Sequence, residues 1–172
     1  NIFGGGADDQ IYGGFGDDTI EGGYGQDTIY GDDGADDDAT NPDDGNDTIR
    51  GARDADTIYG EGGNDILHSN GNFEQNAVES GDTIYGGPGT DTFYGWSGDD
   101  IFYGGAGDDR LDGGGGFDRL EDGDGDDTLI GGYGDDTLLG GDGTDELFGS
   151  DGIDEVDGGG EQDLVLEEYD TP

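Results

Sequence analysis

One feature constrains the fold of this chain more than any other: an apolar residue recurs every nine positions. Residues 13–30 read GGFGDDTIEGGYGQDTIY, in which three glycines, one aspartate and one isoleucine follow in the same order twice. The apolar position is flanked by polar or aromatic residues, as in Thr-Ile-Tyr at 28–30, which predicts a three-residue strand with one side chain inward and two outward. The glycine-rich residues before each strand predict a tight turn, because glycine adopts positive φ at little cost.

The apolar positions fall into three runs, which are Ile2 to Ile29, Ile49 to Leu67, and Ile84 to Val165. Between Ile84 and Val165 the spacing of nine never fails. We interpret the two breaks, near 37–44 and 69–81, as surface excursions that each replace one short strand and lie on the same side of the molecule. Alternating turns and strands predict an all-β, right-handed parallel β-roll over residues 1–166, with a tail at 167–172. Each coil of this roll would contain two repeats.

The composition indicates that such a roll needs a positively charged partner. Only 27% of the residues are hydrophobic, 43 are glycine, and the net charge is −43, so a thin core must oppose strong self-repulsion. The four basic residues do not form the basic patch that nucleic acids and anionic polysaccharides require. The chain has no cysteine for disulfides or thiolate metal sites, and no apolar run is long enough to span a membrane. The positively charged partner is therefore either a set of metal ions or a basic molecule.

Stacking the coils predicts where metal ions would bind. The turn of one repeat would lie over the turn two repeats later, which places Asp18 over Asp36 and Asp109 over Asp127. Without a cation such carboxylates would repel one another. Carboxylate and backbone carbonyl oxygens suit Ca²⁺, which accepts six to eight oxygen ligands in flexible geometry; Mg²⁺ demands stricter octahedral geometry, and softer metals prefer His or Cys.

The complete pattern, G-G-x-G-x-D-x-U-x with U apolar, resembles the RTX (repeats-in-toxin) calcium-binding nonapeptide family. Full or near-full copies occupy residues 13–21, 22–30, 86–94, 104–112, 131–139 and 140–148. The resemblance implies a parallel β-roll that is unfolded without calcium and folds when calcium binds. It also implies an extracellular or cell-surface location and type I secretion.

The resemblance further assigns calcium ligands to the sixth position of each repeat. These aspartates are Asp9, Asp18, Asp27, Asp36, Asp47, Asp56, Asp65, Asp82, Asp91, Asp100, Asp109, Asp118, Asp127, Asp136, Asp145, Asp154 and Asp163. The turn glycines assigned to the sites are Gly14, Gly16, Gly23, Gly25, Gly87, Gly89, Gly105, Gly107, Gly114, Gly116, Gly132, Gly134, Gly141 and Gly143. Ala7, Asp54 and Glu161 replace the glycine expected at the fourth position, so we expect weaker binding at turns 4–9, 51–56 and 158–163. One shared ion per pair of turns gives on the order of a dozen Ca²⁺, whose roughly +24 would offset more than half of the net charge.

Other motifs point to no enzyme. Residues 122–126 read DGDGD like the start of an EF-hand loop, but the sixth position is Asp127 instead of glycine and the twelfth is Tyr133 instead of glutamate. His68 is the only histidine, at an outward position with no nucleophile nearby in the pattern, and we predict a surface role for it.

The outward residues leave other functions open. Tyr12, Tyr30, Tyr85 and Tyr103 fall on one predicted face, and Tyr59 and Tyr94 fall on the other. These tyrosines would either stack as a ladder or form a recognition face for a glycan or protein. Threonines at Thr19, Thr57, Thr92 and Thr128 would share a face, an arrangement that also suits ice binding, although Arg110 and Glu146 interrupt it. The function we predict is a calcium-binding β-roll module that folds and stiffens on binding calcium. The alternative is a structural or adhesive subunit: a spacer, an S-layer piece or an end-to-end filament.

Overall fold

In the computed structural model of the chain, the residues described are 1–32, 44–70, 80–160 and 163–166. They form 17 strands in two sheets, and successive strands alternate between the sheets. All pairings within the sheets are parallel. The chain therefore winds as a β-solenoid of about eight coils, which confirms the predicted all-β parallel roll. Within these described ranges, no helix is long and apolar enough to cross a membrane.

The two sheets contain nine and eight strands. The nine-stranded sheet consists of β1 (Ile2–Gly6), β3 (Thr19–Tyr24), β5 (Thr48–Arg53), β7 (Ile66–Asn70), β9 (Thr92–Tyr94), β11 (Arg110–Gly115), β13 (Thr128–Tyr133), β15 (Glu146–Asp151) and β17 (Leu164–Leu166). The eight-stranded sheet consists of β2 (Gln10–Tyr12), β4 (Thr28–Tyr30), β6 (Thr57–Tyr59), β8 (Thr83–Pro88), β10 (Ile101–Ala106), β12 (Arg119–Asp124), β14 (Thr137–Asp142) and β16 (Glu155–Gly159).

The core is a single layer of apolar side chains between the sheets. Parallel register stacks each eighth-position residue on its counterpart in the next coil, as Leu111 pairs with Phe93 and Leu129. The buried members are Ile11, Ile20, Ile29, Ile49, Ile58, Leu67, Ile84, Phe93, Phe102, Leu111, Leu120, Leu129, Leu138 and Leu147. One such side chain per nine residues is a small core for a chain of this charge, so the turns must contribute to the stability of the roll.

Many strands are longer than the three residues predicted. In β11, for example, pairing continues past Leu111 into the glycines of the next turn, where Gly114 pairs with Gly132. The glycine-rich turn is thus partly integrated into the sheet and stacks in the same register as the core.

The interpretation of the two breaks as lost strands is wrong. Ile49 pairs with Ile20, and both lie in the nine-stranded sheet, so β5 is the next strand after β4 and the 20-residue spacing from Ile29 contains an insertion. Ile84 likewise pairs with Ile58, so no strand is lost before β8. The first insertion joins the eight-stranded sheet to the nine-stranded sheet and the second joins them in the other direction, so the insertions start on opposite edges of the roll. Their central parts, 33–43 and 71–79, lie outside the described residues.

The lost-strand interpretation also assigned outward residues to the wrong face. Tyr59 lies in the same ladder as Tyr12, Tyr30, Tyr85 and Tyr103, whose neighbouring rings stack with centroids 4.8–4.9 Å apart. The sequence placed Tyr59 on the opposite face because each lost strand would have reversed the alternation of the sheets.

Thr57 and His68 also have outward positions that can be compared with the predictions. Thr57 pairs with Thr28 and Thr83 in the eight-stranded sheet, whereas the other threonines grouped with it lie in the nine-stranded sheet. His68 is partly exposed at an outward position and stacks on Tyr94 with ring centroids 5.0 Å apart. The role of His68 in the structure is therefore that of one ring in a ladder of side chains.

Candidate metal centre

The sixth-position aspartates form two rows, one along each edge of the roll. We call the turns that lead into the nine-stranded sheet the first edge and those that lead into the eight-stranded sheet the second edge. The first edge carries Asp18, Asp47, Asp65, Asp91, Asp109, Asp127, Asp145 and Asp163. The second edge carries Asp9, Asp27, Asp56, Asp82, Asp100, Asp118, Asp136 and Asp154. The remaining predicted ligand, Asp36, lies outside the described residues.

Hydrogen bonds connect each row from end to end. After the first aspartate of each row, the Oδ1 atom accepts a hydrogen bond from the backbone N–H of the corresponding aspartate in the preceding coil, as Asp118 does from Asp100 at 2.9 Å. The distances are 2.8–3.2 Å along the first edge and 2.7–3.0 Å along the second. These bonds fix one oxygen of each carboxylate and aim the other between two turns.

The stacking predicted for Asp109 and Asp127 is confirmed, since the Asp109 N–H donates to Asp127 Oδ1 at 2.9 Å. The partner predicted for Asp18 is wrong. Its N–H donates to Asp47 Oδ1 at 2.8 Å, because the first insertion separates these two residues by 29 positions instead of 18.

The second carboxylate oxygen is the chemically informative one. Along most of both rows, Oδ2 is buried and has no hydrogen-bond partner. This holds for Asp27, Asp47, Asp56, Asp65, Asp91, Asp109, Asp118, Asp127, Asp136 and Asp145. A buried polar atom without a partner costs free energy, and an ionised one costs more. Such a row of buried acceptors, repeated in coil after coil, suits a cation, and carboxylate oxygens are ligands that calcium accepts.

Burial changes the titration of these groups in the absence of a metal. It raises the pKa of Asp56 to about 8 and the pKa of both Asp65 and Asp100 to about 9. In each case the backbone hydrogen bond lowers the pKa and the charges of neighbouring aspartates raise it, but burial is the largest cause. Burial therefore disfavours the ionised form of these carboxyl groups when no cation is present.

Turn glycines bring backbone carbonyls to the same places. Gly107 has φ +132°, and a Cβ built on it would overlap the carbonyl oxygen of Gly89 in the preceding coil. Gly105 has φ +119° and stands in the same relation to the Gly87 carbonyl. All the glycines predicted for the sites have positive φ. The carbonyl oxygens of these glycines thus face the next turn of the stack.

Two expected weak turns differ from the glycine pattern in ways that the structure shows. In turn 51–56, Ala52 and Asp54 adopt φ values of 90° and 74°, so the turn keeps the glycine-like conformation at a steric cost. In turn 4–9, Ala7 is not among the residues with positive φ. Glu161, in the third such turn, lies outside the described residues.

A second ladder, which the repeat pattern did not predict, runs along the fifth positions. There the side chain of one coil accepts a hydrogen bond from the backbone N–H of the next, as Asp108 Oδ1 does from Asp126 and Asn46 Oδ1 does from Asn64. Further bonds of this kind end at Asp8, Asp17, Asn64, Asp99, Asp126 and Asp135. The recurrence of Asp and Asn one position before the predicted ligand was the available signal.

Two first-position residues were also missed. Ser69 replaces the first glycine of its turn, and its hydroxyl donates to the Gly95 carbonyl and lies 3.5 Å from Asp100 Oδ2. Asp122 replaces the first glycine of another turn, and both its carboxylate oxygens are buried without a hydrogen-bond partner. In the sequence, the one signal for these two residues was that each replaces the glycine expected at the first position of the repeat.

The arrangement provides stacked carboxylates and carbonyls on both edges, a set of hard oxygen donors. A family model described as the RTX calcium-binding nonapeptide repeat matches the chain over residues 3–37, 42–72, 77–111, 112–147 and 139–166. No curated protein matches the chain significantly.

Proposed function

The chain belongs to the RTX calcium-binding nonapeptide repeat family, and from this we propose that its β-roll folds and stiffens as calcium fills the turns along both edges. The β-roll of this family is a calcium-binding repeat module rather than a known enzyme fold. We propose that the protein acts outside the cell or at its surface. Extracellular calcium modules bind with Kd values of about 10⁻⁴–10⁻³ M, which would leave the roll unfolded in a cytosol and folded outside.

The observation that carries this proposal is the regular row of buried, unpartnered Oδ2 atoms on each edge. In an unfolded chain the same carboxylates are solvated and have no fixed neighbours, so a calcium site exists only once the coils have stacked. Calcium binding and folding are then one equilibrium. The sixth-position aspartates would hold the ions, with turn carbonyls completing the ligand sets, and on the order of a dozen ions would fill the two edges.

Calcium titration followed by far-UV circular dichroism tests this proposal, with Mg²⁺ as the control ion. We expect a cooperative transition from coil to β signal with Ca²⁺ and none at the same concentration of Mg²⁺. Persistent β signal at neutral pH in excess chelator would contradict it. Sedimentation velocity on the same samples would show whether the folded roll stays monomeric or associates end to end, as the structural alternative requires.

Two matched substitutions test whether calcium-dependent folding depends on the sixth-position aspartates along the edges of the roll. Asp118→Asn keeps the shape and the hydrogen bond that Oδ1 accepts from the Asp100 N–H but removes a buried charge, and we expect a higher calcium midpoint. Asp142→Asn removes an exposed charge at the third position of a turn and should leave the midpoint nearly unchanged. Equal effects of the two substitutions would show that only net charge matters and that the proposed ligands are wrong.

A further inference from the structure

Asp122 occupies a place in the turn where a side chain is directed between two coils. A first-position residue lies beside the Oδ2 atom of its own sixth-position aspartate. A Cβ built on Gly140, for example, would overlap Asp145 Oδ2 and lie 2.9 Å from the Gly158 carbonyl oxygen. Asp122 has a side chain at such a position, and a Cβ built on Gly104 in the preceding coil would overlap its Oδ1 and lie 3.0 Å from Asp109 Oδ2.

This placement brings three carboxylates together on the first edge. Oxygen atoms of Asp109, Asp122 and Asp127 all lie within 4.8 Å of one another, and no other group of this kind occurs among the described residues. Asp109 and Asp127 are consecutive members of the row, with side chains 4% and 1% exposed. Asp127 Oδ2 and both oxygens of Asp122 are buried and have no hydrogen-bond partner, and each residue of the group has a carboxylate oxygen within this distance of the other two.

Ser69 also occupies a first position, and its hydrogen bonds can be compared with those open to Asp122. Its hydroxyl can donate hydrogen bonds, and it does so to the Gly95 carbonyl beside Asp100 Oδ2. An ionised carboxylate can only accept. When all three carboxylates are ionised, Asp122 therefore cannot satisfy the oxygens of Asp109 and Asp127; it adds a third negative charge that also needs a cation.

We propose that Asp109, Asp122 and Asp127 form one distinct cation site that binds calcium more tightly than the two-carboxylate turns and fills first. This inference rests on the proposed function, because it concerns one turn of the same calcium-loaded edge. Affinity in calcium sites rises with the number of charged ligands, which supports the order of filling. Three charges also match a trivalent lanthanide better than a divalent ion, so this site selects La³⁺ or Tb³⁺ over Ca²⁺ more strongly than its neighbours do.

The position of the site gives it a role in folding. It joins the turns before β11 and β13, and strands are stacked on both sides of this pair in the nine-stranded sheet. In a solenoid each coil contacts only its neighbours, so folding can begin at one stable interface and spread in both directions. The first calcium to bind would create that interface.

Terbium luminescence and calcium calorimetry test the proposal. With one equivalent of directly excited Tb³⁺, decay times in H₂O and D₂O count the water molecules on the ion, and we expect fewer in the native chain than in Asp122→Gly. Calorimetry should show the first calcium about tenfold weaker in Asp122→Gly and Asp122→Asn. The control, Asp124→Asn, removes an exposed charge two residues away and should behave like the native chain in both assays.

Asp122→Gly restores the glycine that most turns have at this position, so it should still fold with calcium. Unchanged or tighter first binding in that variant, or an unchanged water count, would overturn this inference while leaving the proposed function intact. Absence of calcium-dependent folding in the native chain would instead refute the proposed function, so the two failures are distinguishable.

Discussion

In excess chelator, acidification should restore β structure to the metal-free chain. Burial disfavours the charged form of the sixth-position carboxyl of Asp118 and raises its pKa from the ordinary 3.8 to about 7. A carboxyl whose pKa is higher in the folded state than in the unfolded state opposes folding above the folded pKa. That opposition disappears as the pH falls below the unfolded pKa, so protons stabilise the roll in place of calcium.

The size of the effect follows from the shift. Moving the pKa of Asp118 from 3.8 to about 7 opposes folding by about 4 kcal/mol above pH 7. Asp91, also with a pKa of about 7, adds a penalty of similar size. Folded domains are stable by only about 5–15 kcal/mol in total, so a few such carboxylates suffice to abolish the metal-free fold at neutral pH.

Far-UV circular dichroism in excess chelator between pH 8 and pH 4 measures this directly. We expect a coil spectrum at pH 8 and increasing β signal as the pH falls from about 7 towards 4, with sedimentation velocity to verify that the acid form is monomeric. Asp118→Asn should stabilise the metal-free roll at pH 8 and have little effect at pH 4, whereas exposed Asp142→Asn should do neither. A metal-free chain equally folded at pH 8 and pH 5, or one that gains no β structure with acid, would refute the burial argument.

Three substitutions test the packing of the roll. Ala52→Gly removes a side chain held at φ 90°, so we expect a lower calcium midpoint and a gain of about 1 kcal/mol; no gain would mean that the turn is unstrained. Gly107→Ala should raise the midpoint or prevent folding because its Cβ would overlap the Gly89 carbonyl oxygen. The control Gly115→Ala should be tolerated, since the nearest atom to its Cβ would be 3.7 Å away; equal effects would show that the overlap is not the cause. Tyr59→Ala interrupts the tyrosine ladder between two stacked neighbours and should destabilise the folded roll by about 1–3 kcal/mol in chemical denaturation at saturating calcium, and an unchanged stability would show that the stacking contributes nothing.

The fold could be predicted because each strand depends on a local pattern. One inward residue per nine fixes the core position, as Leu111 and Leu129 show, and the pattern repeats often enough to predict two parallel sheets. The pattern could not predict to which sheet the strands after each break belong. Counting from Ile29 to Ile49 does not distinguish a lost strand from an insertion, and the choice moves Tyr59 from one face to the other. The pairing of Ile49 with Ile20 shows that the break is an insertion, because parallel register keeps apolar residues stacked on one another.

From the nine-residue pattern alone it follows that aspartates recur at the sixth position and that hard oxygen ligands gather in the turns. Which aspartates meet depends on how the coils stack, since Asp18 reaches Asp47 through that stacking and not through a fixed separation in the chain. The tertiary structure also shows that the Oδ2 atoms are buried without partners and that Asp122 joins Asp109 and Asp127. These properties belong to contacts between coils. A nine-residue pattern specifies each coil separately, and burial exists only after the coils have stacked.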